Sequence, residues 1–153
     1  MTRNARINLL LFLLLALLLG LGAWLGPRLA RSGEQVLPVV PCDLNRGPCA
    51  LDLPGGGRLQ VEITPRPIPV LQPLALQVSL AGRAAKTVRL DFSGVDMDMG
   101  FNQVSLRPLG GGRFAGQGNL PICITGAMRW QAAVLIETDS GSLSVPFHFM
   151  SGH

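Results

Sequence analysis

From Leu9 to Gly26 the chain runs eighteen residues with no charge and no polar side-chain group except the indole of Trp24. As a helix the run would cover roughly 27 Å, close to the thickness of a bilayer core. Ile7 and Asn8 extend it toward the N-terminus, Trp24 suits the water interface, and Gly26-Pro27 ends it. A secretory signal would also begin with charges such as Arg3 and Arg6, but its apolar core is usually about 7–15 residues. Leu21-Gly22-Ala23 is only a weak cleavage site. The run is therefore read as an uncleaved transmembrane helix, with cleavage as the alternative, and either way the rest of the chain is exported. Arg3 and Arg6 on one side balance Arg28 and Arg31 on the other. The free amino terminus and the short N-terminal arm decide for a cytoplasmic N-terminus. Residues 1–26 are thus a stub and membrane anchor, 27–41 a tether, and 42–153 an exported domain.

The charge of the whole chain reflects that anchor. The formal net charge is +4, yet residues 32–153 hold nine basic and nine acidic side chains. A domain of zero net charge has no basic footprint, so nucleic acid is not an expected partner. Cys42 and Cys49 have six residues between them in Pro-Cys-Asp-Leu-Asn-Arg-Gly-Pro-Cys. They read as a local disulfide formed in an oxidising compartment. Closing so short a loop is worth about 2–3 kcal/mol in unfolded-state entropy. Cys123 is left as the odd cysteine.

Beyond the tether, alternation and turn residues dominate. Arg58–Thr64 places Leu59, Val61 and Ile63 on one face, and 74–80 does the same with Leu74, Leu76, Val78 and Leu80. Residues 87–92 bury Val88, Leu90 and Phe92, and 102–107 bury Val104 and Leu106. A short strand follows at 113–115. Residues 127–138 align Met128, Trp130, Ala132, Val134 and Ile136, and 142–150 align Leu143, Val145, Phe147 and Phe149. Pro65, Pro67, Pro69 and Pro73 mark a segment expected to run extended along an edge. No amphipathic helix interrupts the domain. A mainly β, seven-stranded antiparallel immunoglobulin-like sandwich preceded by one N-terminal transmembrane helix is the expected architecture.

Groups for ordinary catalysis are sparse. His148 and His153 are the two histidines, no Gly-rich phosphate loop opens a helix, and Asp96 and Asp98 lack a buried setting. A Cys123–His148 pair is the one nucleophilic arrangement, and the chain is not expected to be an enzyme. Soft ligands stand out instead. Met97 and Met99 lie two residues apart between carboxylates in a loop, where packing explains them poorly. Cys123 and Met128 follow, and His148 and Met150 share a parity. Thioether, thiolate and imidazole together select Cu(I), and a thioether survives an oxidising compartment. Met128 also reads as core, Cys123 as an inert buried thiol or a redox thiol, His148 as a solvated side chain.

Met97-Asp-Met99-Gly, Leu106-Arg-Pro, Gly112-Arg-Phe-Ala-Gly, Leu120-Pro-Ile-Cys123 and Gly126-Ala-Met128-Arg-Trp130-Gln-Ala resemble motifs of the YtkA-like and FixH-like family, over about residues 58–149. The resemblance implies a bacterial inner-membrane protein with a periplasmic immunoglobulin-like domain. It implies a role in copper delivery or haem–copper oxidase assembly, with a copper chaperone or oxidase subunit as partner. It supports Met97, Met99, Cys123 and Met128 as ligands and Trp130 as a structural residue. The methionine loop departs from the family pattern in having no histidine nearby, which favours Cu(I) over Cu(II). A non-metal structural or interaction module of an envelope membrane complex is the alternative.

Overall fold

A computed structural model describes residues 11–22, 34–122 and 126–152. The chain divides between Gly33 and Glu34 into two units. In the first, residues 11–22 form an α-helix whose residues are all exposed. Among the described residues no helix is long and apolar enough to cross a membrane. The expected spanning helix continues over residues 9–10 and 23–26, which lie outside the described residues.

The second unit is built of ten strands, not seven. They are β1 (Glu34–Val36), β2 (Cys49–Asp52), β3 (Arg58–Thr64), β4 (Leu74–Ala81), β5 (Thr87–Gly94), β6 (Gln103–Ser105), β7 (Arg107–Gly110), β8 (Arg113–Gly118), β9 (Met128–Thr138) and β10 (Gly141–Ser151). They form two five-stranded sheets, ordered β1-β10-β9-β5-β6 and β2-β3-β4-β8-β7. Every pairing is antiparallel except that of β1, which runs parallel to β10 with Glu34 opposite Ser142.

The three additional elements have separate causes. β1 lies in the stretch read as tether, has three exposed residues and shows no alternation. β2 follows the cysteine loop and pairs with β3. The expected strand over 102–107 is divided at Leu106, where the chain leaves one sheet and joins the other. Leu106 stays buried there and donates its N–H to the Val88 carbonyl at 2.9 Å. Gly116 and Gly118 make room for this crossing. A Cβ on Gly116 would lie 2.7 Å from Leu106 Cδ2, and one on Gly118 would lie 3.0 Å from Val104 Cγ2. The crossing closes one side of the sandwich.

Side chains of the first sheet interdigitate by size. Phe92, Ala132 and Phe147 are opposite one another on β5, β9 and β10, and Gly94, Trp130 and Phe149 form the next row. Large residues thus flank a small one, or a small one faces a large one, and Trp130, Phe92 and Phe147 are fully buried. Leu59, Val61, Ile63, Leu76 and Val78 face them from the second sheet.

The Pro-rich segment does not run along an edge. Thr64–Pro65 and Arg66–Pro67 are cis, the chain bends, and Ile68 and Val70 are buried in the core. It closes one end of the sandwich instead. The Cys42–Cys49 disulfide holds the neighbouring loop. Asn45 of that loop donates from Nδ2 to the Met150 carbonyl at 2.8 Å and accepts at Oδ1 from the Ile68 N–H at 2.8 Å. Ser151 Oγ completes the knot by donating to the Ile68 carbonyl at 2.6 Å. Replacing both cysteines by serine is expected to lower stability by about 2–3 kcal/mol through loop-closure entropy. Denaturant titration of the two proteins checks this, and an unchanged midpoint would show that the Asn45 ties hold the loop unaided.

Candidate functional site

β5, β9 and β10 bring the methionines to the end of the sandwich that the Pro-rich loop closes. β5 ends at Gly94, opposite Trp130, and the chain then turns out into the loop of residues 95–101. The neck of that loop is fastened on both sides. Val95 N–H donates to the Arg129 carbonyl at 2.9 Å, and Phe92 N–H donates to the Asn102 carbonyl at 2.8 Å. Asp96 pairs with Arg129 at 3.0 Å across the surface. Asp98 accepts the Gly100 N–H at 2.8 Å, an Asx turn in which Gly100 takes a positive φ of 73°. The two carboxylates that bracket the methionines therefore shape the loop.

The loop folds back over Gly94. A Cβ at that position would overlap the Met97 carbonyl oxygen and lie 2.6 Å from Met128 Cε and 3.0 Å from Met99 Cγ. Gly94 has no positive φ, so its lack of a side chain serves space and not backbone conformation. The Met97 backbone and the side chains of Met99 and Met128 thus meet at one glycine. Met128 is buried, Met99 half-buried against the core, and Met97 43% exposed at the rim. Trp130, two residues after Met128 on the same inward face, is 0% exposed. Its Nε1–H has no hydrogen-bond partner among the described residues.

His148 and Met150 do not join this cluster. They project from the outer face of β10, while Phe147 and Phe149 point inward. His148 is half-buried, with Nε2 3.2 Å from Gln131 Oε1, and lines a groove with Val40, Cys42, Asp43 and Arg46. Met150 is 53% exposed. Cys123 and His153 lie outside the described residues. Among the described residues no group of three or more histidines, cysteines or carboxylates is placed to hold a metal ion. The side chains that approach Gly94 are those of Met99 and Met128, while Met97 approaches it through its backbone carbonyl. Thioethers suit a soft monovalent ion and not a hard divalent one.

Sequence reading did not single out Gly94, because a glycine needed for space has the same letter as one needed for a turn. It also passed over Phe101, which is 87% exposed beside the methionine loop. Phe101 breaks the alternation next to Gly100, and that was the available signal. Asn102 Nδ2 donates to the Asn119 carbonyl at 2.8 Å, and the Leu71 N–H donates to the Leu120 carbonyl at 2.9 Å. These bonds tie three loops side by side, and Phe101, Ile122 and Leu71 are exposed along them. No family model, no curated protein and no solved structure matches this chain.

Proposed function

We propose that this chain is a membrane-anchored, exported copper-handling protein of the YtkA-like and FixH-like kind, with an immunoglobulin-like periplasmic domain. It binds Cu(I) at the Gly94 cluster and passes it to a partner in haem–copper oxidase assembly. The observation that carries the reading is the approach of the Met99 and Met128 side chains to Gly94, with Met97 exposed in the same loop. Thioethers bind Cu(I) without being lost to disulfides, so a methionine site suits an oxidising compartment. Met97 at the rim is the ligand an acceptor reaches first, and its exposure favours release over storage. Cys123 is the remaining soft donor and is tested separately.

The test is a chelator competition titration of the full chain with Cu(I). One copper per chain is expected. The Met97→Ser, Met99→Ser double variant is expected to weaken binding at least about tenfold while keeping the fold, since neither side chain is fully buried. A Cys123→Ser variant decides whether the thiol belongs to the site. Wild-type protein that fails to compete would overturn the copper reading. The exposure of Phe101, Ile122 and Leu71 favours the second reading, an interaction module that docks a membrane complex through this end. Under that reading, Phe101→Ser abolishes assembly and the methionine variants are silent.

A further inference from the structure

We propose that Trp130 is a cation-binding wall of the methionine site, its indole face holding the soft ion beside the thioethers of Met99 and Met128. The inference rests on the copper reading above and adds a ligand of a different chemical kind. Trp130 stands directly opposite Gly94 across the β5–β9 ladder. Opposite residues in such a pair have Cβ positions about 4.5–5.5 Å apart. A Cβ built at Gly94 would lie 2.6 Å from Met128 Cε and 3.0 Å from Met99 Cγ, so both methionine side chains lie against the residue that faces Trp130. Met128 and Trp130 share the inward face of β9.

The indole is a costly choice for mere filling. Trp130 is fully buried and its N–H has no acceptor among the described residues. A phenyl ring, as at its neighbours Phe92 and Phe149, would pack there without stranding a donor. What indole supplies beyond phenyl is the strongest cation–π surface of any side chain. Cu(I) has a filled d shell, sheds water readily and accepts a low coordination number, so two thioethers and a ring face can satisfy it. A divalent ion would have to give up its hydration with no anionic ligand in return, and the same wall therefore discriminates by charge.

The test uses the full chain carrying Trp24→Phe, so that Trp130 is the one tryptophan. Chelator-buffered Cu(I) is expected to quench Trp130 emission, reaching its limit at one equivalent, while Zn(II) leaves it unchanged. Met99→Leu with Met128→Leu, which conserves volume, is expected to abolish the quenching. Trp130→Phe is expected to weaken Cu(I) binding about tenfold. Cu(I) bound with unchanged affinity in Trp130→Phe overturns the proposal and leaves the copper reading standing. If Trp130→Phe does not fold, copper binding by the Trp24→Phe parent without any change in emission overturns it in the same way. No Cu(I) binding by the parent overturns both.

Discussion

Replacing Gly94 with alanine is expected to weaken Cu(I) binding by at least about tenfold and to lower stability by about 1–3 kcal/mol, the usual cost of overpacking. The backbone at residue 94 tolerates any side chain, so the effect comes from space alone. The added methyl would overlap the Met97 carbonyl oxygen and lie 2.6 Å from Met128 Cε. Met128 is flexible and can swing aside. The Met97 carbonyl belongs to a loop fastened at Val95 and Asn102, so it moves only by displacing the loop. Either response separates the thioethers. Chelator competition and a denaturant melt of the same preparation check the result. An alanine variant that folds and keeps wild-type affinity would show that the convergence at Gly94 is packing and not a site.

Phe147→Ala is expected to cost about 3–5 kcal/mol, which for a domain of this size is a large part of its stability. Phe147 is completely buried and lies opposite Ala132, with Phe92 on the far side of that alanine. Ala132 is too small to fill the vacated space, so the row cannot collapse and a cavity remains. Val40 bridges to Phe147 from the other side, and its N–H donates to the Pro146 carbonyl at 2.9 Å. The loss is therefore expected to loosen the first described segment of the domain along with the core. Chemical denaturation of the full chain measures it. A cost below about 1.5 kcal/mol would mean that the two sheets close over the gap.

The strands that the sequence places most fully are those whose apolar residues alternate over six or more positions, as in β3, β4, β9 and β10, whereas β8 is legible only over 113–115. Burial dictates that pattern, and burial is what the pattern reports. β1 escaped because its partner lies more than a hundred residues away and its side chains are all exposed. The break at Leu106 escaped because Val104 and Leu106 keep an inward parity while the backbone changes sheets. The site was partly legible in the same sense. Two methionines between carboxylates read as unlike core, and the parity of Met128 with Trp130 puts it on the inward face, where it is buried. That Met150 and His148 stand on the opposite face of the sheet depends on pairing, and parity within β10 placed them together without saying beside what.

The parallel run of β1 beside β10 has a mechanical consequence. Glu34 lies beside Ser142, at the start of β10, and the methionines lie at its other end. A load applied through Glu34 while that other end is gripped would pull β1 lengthwise along β10. The Leu37–Ser144 and Val40–Pro146 hydrogen bonds then strain together in shear, not one after another as in an unzipped hairpin. Past them the Cys42–Cys49 bridge limits how much chain can pay out. A domain hung by its first strand and gripped at its far end is thus stretched along its stiffest axis.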